Sequence, residues 1–342
     1  MDFSLFLDFV GLVASLIFLW WAGSLSVDYS VRIADVFNLN RLFIGFVLIS
    51  VSTGFPELSI ALSSALRGVQ DISAGDILGS NVCDVSLVLG LAILLYGTLK
   101  ISKKEAKDSL VLLLIIAVSM AAIFLLGTLN WVAGIVFILI YFVSIGWLWL
   151  TTTKKEGLEE EKAQEKIKAK DLLLDVKSGR GQRQKAGRIS RKEKILVIVK
   201  LSGALLLVLG ASELAVRFAL EVTSKLALSL KTIGATIFAV GTSLPEISLS
   251  LNAMQKKEYS LALGNSLGSV LEQGTLLIGI LALISDKPID TASLRSLAPF
   301  MFFSFFIIGF SIIKRKKIGR VEAILMLVSF MMFLLYQIFW IG

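Results

Sequence analysis

Residues 45–94 read GFVLISVSTGFPELSIALSSALRGVQDISAGDILGSNVCDVSLVLGLAIL, and residues 234–283 read GATIFAVGTSLPEISLSLNAMQKKEYSLALGNSLGSVLEQGTLLIGILAL. The two stretches align without a gap at a constant shift of 189 positions. Gly45/Gly234, Thr53/Thr242, Pro56/Pro245, Glu57/Glu246, Ser59/Ser248, Gly75/Gly264, Gly79/Gly268, Ser80/Ser269 and Gly90/Gly279 coincide. Ahead of each copy lies an acid–base pair at helical i,i+4 spacing, Asp28 with Arg32 and Glu213 with Arg217. The period is far too long for a solenoid, so half of the chain has been duplicated. Duplication alone would not keep acids and prolines at matching places inside apolar segments.

The whole chain has 342 residues, of which 56% are hydrophobic and 18% charged, and its mean hydropathy is +0.83. A soluble domain is ~45–50% apolar even with Gly counted. One water-soluble core cannot absorb this sequence, which excludes the soluble α/β enzymes. Cys83 is the one cysteine, and histidine is absent. An intramolecular disulfide, a Cys-based zinc cluster, imidazole ligands and Ser-His or Cys-His catalysis are therefore excluded. A membrane-embedded hydrolase would need an activated nucleophile, so no enzyme and no cofactor is expected.

A helix needs ~20 apolar residues to cross a bilayer. Ten segments qualify: 5–25, 42–66, 72–97, 108–127, 130–151, 194–220, 232–254, 259–284, 296–313 and 320–341. The first is not read as a cleavable leader, because Met1-Asp2-Phe3 lacks a basic start and no small-x-small site follows. Each copy owns five spans, an odd number, so the second half enters the membrane inverted. Transporters of that architecture bind substrate near the midplane between the repeats. The expected fold is an all-α integral membrane protein. It has ten transmembrane helices in two inverted-topology five-helix repeats, with broken helices at the midplane. The first half is 1–150, a basic loop is 151–194, and the second half is 195–342.

The net charge of +8 has a location. Residues 151–194 carry 14 Lys/Arg and 8 Asp/Glu, leaving 20 basic and 18 acidic residues elsewhere. The positive-inside rule places that loop in the cytoplasm and both termini outside. Arg41, Lys100, Lys103, Lys104, Lys107, Lys256, Lys257, Lys314, Arg315, Lys316, Lys317 and Arg320 fall on the same side as the loop. Arg67, Lys225, Lys231, Lys287 and Arg295 fall on the opposite one. The loop holds no aromatic residue to stack a base, so the partner it suits is membrane lipid rather than nucleic acid.

Inside the spans, Ser52-Thr53-Gly54-Phe55-Pro56-Glu57 and Gly241-Thr242-Ser243-Leu244-Pro245-Glu246 carry the chemistry. Proline lacks an N–H and clashes with the carbonyl four residues back, which frees the carbonyls of Ser52 and Gly241. Irregular backbone at membrane depth survives only against protein or a water-filled cavity. Ser243 and Glu246 have capping-box spacing, so a half-helix is expected to start beside each glutamate, its positive end favouring the carboxylate. An ionisable residue at this depth costs ~2.5–3.5 kcal/mol on insertion scales and marks a functional site by default. Two carboxylates, freed carbonyls and Thr/Ser hydroxyls make an oxygen cage. Hard cations such as Ca²⁺, Na⁺ or Mg²⁺ take such ligands, whereas softer metals call for His or Cys. The next helix of each copy adds Ser80 with Asp84, and Ser269 with Gln273, each pair four apart on one face. Gly75, Gly79, Gly264 and Gly268 let these helices approach the broken ones. Cys83 reads as a packed thiol.

With these motifs the chain resembles the sodium/calcium exchanger family of the cation/Ca²⁺ antiporter superfamily. That family has ten spans, two inverted repeats with a G-T-S-x-P-E motif in each, and G-N-x-x-G-S-N-x-x-[ND] in the following helix. GTSLPE at 241–246 is complete and STGFPE at 52–57 nearly so, while GDILGSNVCD at 75–84 and GNSLGSVLEQ at 264–273 fill the second role. The resemblance implies Glu57 and Glu246 as central Ca²⁺ ligands, completed by the Thr53 and Thr242 carbonyls. It implies Ser80, Ser243, Ser269 and the carbonyls of Ser50 and Ala239 around flanking Na⁺ sites, with Asp84 and Gln273 at the waist. Three departures stand out. Gly54 replaces a motif Ser; Val270 replaces the Asn matched by Asn81; and Gln273 and Asp84 exchange the halves in which the family often carries Asp and Asn. Glu272 adds a charge ~100° away around its helix.

The expected function is exchange of Ca²⁺ for Na⁺ by alternating access. Glu57, Asp84 and Glu246 give −3, which three Na⁺ neutralise and one Ca²⁺ leaves at −1, so the two ions compete for the same carboxylates. The resemblance also implies that the first and sixth spans move as gates. A proton-coupled Ca²⁺ exchanger is the rival, with Glu57 or Glu246 carrying protons, although the G-N-A-x-E motif of such relatives is absent. A cation channel would need a continuous pore. With no long regulatory domain, the chain fits a compact monomeric exchanger of a prokaryotic plasma membrane.

Overall fold

The computed structural model describes residues 3–36, 53–148, 150, 191–226 and 229–341. Arg41, Gly45, Ser50, Ser52 and the loop up to residue 190 lie outside the described residues. Almost everything described is helical. α1 is Phe3–Val36, α2 Phe55–Leu66 and α3 Gln70–Cys83. A π-helical turn, Asp84–Val88, joins α3 to α4, Leu89–Tyr96. β1 (Leu99–Lys100), α5 (Lys103–Leu126), β2 (Thr128–Leu129) and α6 (Trp131–Leu148) complete the first half. The second half runs α7 (Arg191–Leu226) and α8 (Leu230–Ile233), then a π-helical turn and α9 (Ala239–Thr242). α10 (Leu244–Gln255) and α11 (Tyr259–Leu271) follow, and a further π-helical turn, Glu272–Leu277, leads to α12 (Ile278–Ile284). β3 (Ile289–Asp290), α13 (Ala298–Arg315), β4 (Lys317–Ile318) and α14 (Arg320–Tyr336) finish it.

The repeat seen in sequence is also a repeat of local structure. Shifted by 189, α2 falls on α10, and α3 with its π-helical turn falls on α11 with its own. Local chemistry sets the ends. Ser102 and Glu105 form a capping box at the start of α5, with Glu105 N–H donating to Ser102 Oγ at 3.2 Å. Gly127, at φ 72°, ends the same helix in the left-handed conformation that glycine adopts freely. Eight described helices are long and apolar enough to span a membrane, and Leu230–Thr242 with Leu244–Gln255 forms a ninth span bent by 40°. Phe55–Leu66 is the described part of the second expected span.

Two short ladders reveal how the halves are arranged. β1 pairs antiparallel with β4, and β2 with β3. By the 189-residue shift, however, β1 corresponds to β3 and β2 to β4. Each ladder therefore ties a connection of one half to the non-equivalent connection of the other. Equivalent connections lie at opposite ends of the helical bundle, as an inverted repeat requires. The ladders also put Lys100 beside Lys317, two of the lysines expected on one side, and Ile101 N–H donates to the Lys316 carbonyl at 2.9 Å. At the other end Arg295 donates to the Phe124 carbonyl at 2.7 Å.

Burial separates two classes of span. Most of α3–α4 and α11–α12 is buried (83% and 78% of residues in the apolar window), against 22% in each of α1 and α7. In lipid, helix association relies on close packing rather than on apolar burial, and the motif helices show it. A Cβ on Gly79 would sit 2.6 Å from the Ala235 carbonyl oxygen, and one on Gly234 would meet the Ile72 carbonyl. α1 and α7 pack on each other through Leu12, Leu19, Ala211 and Ala215 and expose long apolar faces.

Candidate functional site

The start of α2 and the bend between α9 and α10 define the site. Phe55, Pro56 and Glu57 are the first three residues of α2; Leu244, Pro245 and Glu246 are the first three of α10. Each glutamate therefore faces the positive end of its own helix. The expected capping box is not formed. Ser243 makes no side-chain cap, and its N–H already donates to the Ala239 carbonyl at 3.3 Å. The Ser243 N–H that a capping box would offer to Glu246 is thus already taken by the preceding helix, and the Glu246 carboxylate is left for other work. α1 crosses both breaks: a Cβ on Gly23 would lie 3.1 Å from Pro56 Cγ and 3.5 Å from Pro245 Cγ.

Tertiary packing brings the two halves together around these glutamates. Ser80 Oγ donates to the Ala239 carbonyl at 3.3 Å and lies 3.2 Å from Thr242 Oγ1. Gln273 Nε2 donates to Asp84 Oδ2 at 3.0 Å, so the two residues paired by the 189 shift meet directly. Thr53 lies beside Glu246, and Ser243 beside Asp84. Glu57, Glu246, Thr53, Thr242, Asp84, Gln273, Ser80 and Ser243 are wholly buried; Ser269 and Ala239 nearly so. Ser50 lies outside the described residues.

Asp76 is a residue the sequence reading passed over. It is fully buried, and Thr242 Oγ1 donates to its Oδ1 at 2.9 Å. The signal was present: Asp76 occupies the Asn position of the G-N-x-x-G-S-N motif and matches Asn265 in the second copy. Asn265 itself is bound differently, donating to the Glu246 carbonyl at 3.2 Å and to Ser250 Oγ at 3.0 Å. Glu57, Asp76, Asp84 and Glu246 thus raise the buried charge from −3 to −4 when all are ionised. Glu272, 2% exposed, adds a fifth buried acid nearby.

This charge is uncompensated. Among the described residues, no Lys or Arg is buried. Both oxygens of Glu57 and of Glu246, Asp76 Oδ2, Asp84 Oδ1, Gln273 Oε1, Ser243 Oγ and Ser269 Oγ have no hydrogen-bond partner. Leaving one buried acceptor unpaired costs ~1–3 kcal/mol, and more when it is charged. Such a cluster is sustainable when cations neutralise it. Among the described residues, no three acids converge closely enough to hold a metal ion by themselves. Neutral oxygens from hydroxyls and backbone must complete any coordination shell, as Ca²⁺ with its 6–8 oxygen ligands commonly requires.

Broken, inverted helices around buried acids define a membrane cation transporter. The chain is similar over 91% of its length, at 29% identity, to an uncharacterized membrane protein of Methanocaldococcus jannaschii, 92% of which is covered. It is 25% identical to the sodium/calcium exchanger MaX1 of Methanosarcina acetivorans, over 96% of this chain and 97% of that one. The solved structure of the sodium-calcium exchanger NCX_Mj soaked with 100 mM Na⁺ and 10 mM Sr²⁺ matches with a TM-score of 0.61 and 25% identity, covering 96% of this chain and 97% of that one. The model of the sodium/calcium exchanger protein family matches residues 7–150 and again 196–339, the same shift of 189. The chain belongs to the sodium/calcium exchanger family. It is an integral membrane cation/Ca²⁺ antiporter, not an enzyme.

Proposed function

We propose that the chain exchanges Ca²⁺ for Na⁺ by alternating access, with the two ions competing for one carboxylate cluster. One observation carries this reading: Glu57 and Glu246, at matching positions of two repeated half-helices, are buried with unpartnered oxygens, and no Lys or Arg is buried among the described residues. Glu57 and Glu246 hold Ca²⁺ centrally with the Thr53 and Thr242 carbonyls. Ser80, Ser243, Ser269 and the Ser50 and Ala239 carbonyls serve flanking Na⁺ positions, and Asp84 with Gln273 forms the waist. Residues 1–150 and 195–342 are the two inverted halves. The basic loop 151–194 is cytoplasmic and both termini are outside, in a prokaryotic plasma membrane. α1 and α7 supply the moving gates. Their sparse burial and α1's path across both prolines support that role, because a packed core does not slide whereas a lipid-facing pair can.

The test is flux into vesicles. Vesicles loaded with Na⁺ should take up ⁴⁵Ca²⁺ from outside, and dissipating the Na⁺ gradient should stop it. Uptake driven by an acid-loaded interior and indifferent to Na⁺ would assign proton coupling instead. Uptake that needs no counter-gradient would point to a channel.

A further inference from the structure

Away from the carboxylates, the repeat is broken at the end of the bundle that carries β1 and β4. α5 ends at Gly127, whose φ of 72° is left-handed. The matching position is Lys316, which ends α13 with φ 51°. Gly68 and Lys257 are matched in the same way, at 68° and 62°. Among the described residues, these two lysines are the only non-glycine residues with positive φ. A residue with a Cβ is strained in that conformation. Lys316 is held in it, because its carbonyl accepts the Ile101 N–H at 2.9 Å. A general need for positive charge does not explain the choice, since Lys314, Arg315 and Lys317 already flank the position. A lysine in a glycine's place points to a local task.

Lys316 lines a groove of about 480 Å³ between α13 and α5, and Lys107 lines it from the other helix. The walls are apolar: Leu110, Val111 and Leu114 on α5, with Ile312 and Ile313 on α13. Lys107, Leu110, Val111 and Leu114 recur at the spacing of one helical stripe. Leu114 and Ile313 are 65% and 64% exposed, on helices that span the membrane, so the groove faces lipid. Neither lysine has an ion-pair partner among the described residues. The neighbouring acids are engaged elsewhere. Glu322 pairs with Arg315 at 3.1 Å, and Glu105 binds the Ser102 N–H and the Ser260 hydroxyl. Asp108, next to Lys107, projects about 100° around the helix. At the opposite end the matching positions are Ser296 and Gly127, without charge. Arg295 there is spent on the Phe124 and Leu125 carbonyls, at 2.7 and 3.4 Å.

We propose that the groove between α5 and α13 binds an anionic glycerophospholipid, its acyl chain along the apolar walls and its headgroup phosphate between the Lys107 and Lys316 ammoniums. Charge complementarity selects this occupant. Two unpaired cations at the end of a lipid-facing groove attract a headgroup with net negative charge, whereas a zwitterionic headgroup brings a cation of its own. Basic pockets between transmembrane helices recognise anionic headgroups in this way. The bound lipid offsets the repulsion between the two lysines and ties α5 to α13. The site is independent of which ion drives exchange and needs only that the chain lies in a membrane.

The test is native mass spectrometry of the purified full chain in neutral detergent, titrated with phosphatidylglycerol or with phosphatidylcholine of the same acyl chains. Native protein is expected to bind phosphatidylglycerol about tenfold more tightly than phosphatidylcholine. Lys107→Gln and Lys316→Gln should each weaken that binding about fivefold, the scale of one basic residue at an anionic headgroup. Lys314→Gln, at the same helix end but outside the groove, should change it less than about twofold. Lys316→Gly separates a lipid site from a purely structural lysine. Glycine is the matching residue and adopts positive φ freely, so the melting temperature without lipid should hold or rise while phosphatidylglycerol binding falls. This variant also keeps the question decidable if a glutamine variant does not fold. Equal affinity for the two lipids would overturn the proposal, as would equal losses from Lys314→Gln and Lys316→Gln. Displacement of phosphatidylglycerol by inorganic phosphate at equal concentration would overturn it too, by making the pair of lysines a free-anion site.

Discussion

The two halves of the site share their glutamates and differ in the helices beside them. Glu57 and Glu246 occupy the same third position of equivalent half-helices, each after a proline. The neighbouring α3 carries Asp76 and, just past its end, Asp84, whereas α11 has Asn265 and, just past its end, Gln273. The amides are spent on protein contacts, Asn265 on Glu246 and Ser250, and Gln273 on Asp84. Each of the four keeps one oxygen without a hydrogen-bond partner, but on the acids that oxygen belongs to a carboxylate. Symmetry thus resides at the helix starts that carry the glutamates. Asymmetry resides in the charge of the helices beside them.

The sharpest test of the symmetric part is neutralising each glutamate alone. Glu57→Gln and Glu246→Gln should each lower Na⁺-driven ⁴⁵Ca²⁺ uptake by about 100-fold or more, the equivalent of losing ~3 kcal/mol of charged coordination. A variant that kept full rate would remove its glutamate from the site, and unequal losses would break the symmetry.

A smaller effect, on stability, tests the asymmetric part. Asn265→Asp removes two hydrogen-bond donations and adds a sixth buried acid, so it should destabilise the protein by about 3 kcal/mol. A fall in melting temperature in detergent would show it. Asp76→Asn, the reverse exchange, should leave the melting temperature close to native, because no donor is lost. Equal destabilisation by both would mean that the two positions perform the same structural task.

Gly23→Val asks whether α1 treats both breaks alike. The added side chain must push on Pro56 and Pro245 together, and overpacking of this kind costs about 1–3 kcal/mol. Exchange should slow about tenfold or more while Ca²⁺ binding persists, which a comparison of flux with equilibrium ⁴⁵Ca²⁺ binding would separate.

The smallest effect concerns the ends of the bundle. Lys231 binds Asp290 at 2.6 Å and Ser293 at 2.7 Å, while the position equivalent to Asp290 is Ile101. The Lys231 hydrogen bond holds the Asp290 carboxyl below its ordinary range. A depressed carboxyl stabilises the fold above its unfolded pKa, ~3.9, and loses that contribution as pH falls through the lower folded value. Both groups are partly exposed, so Lys231→Met should cost less than ~1 kcal/mol near pH 7. It should also flatten the loss of thermal stability below pH 4.

Much of the candidate site was legible because membranes make polar residues conspicuous. Glu57, Glu246 and the prolines stand out in apolar stretches, and one shift pairs them. Asp76 was harder to see, since an Asp in place of Asn looks like a conservative change until burial and Thr242 show a charge with one oxygen free. The capping box was misread for a related reason: Ser243 and Glu246 have the right spacing, but the preceding helix runs into Ser243 and takes its N–H.

The sequence by itself determined the helical class, the duplication and, through the parity of five spans, the inversion. Periodicity, hydropathy and self-similarity are local properties carried along the chain. Only the tertiary structure decided which oxygens meet. Ser80 with Ala239 and Thr242, Asp76 with Thr242, and Asp84 with Gln273 are contacts between residues more than 150 positions apart. They depend on close approach of α3 to the second half at Gly79 and Gly234, a packing that no single segment encodes.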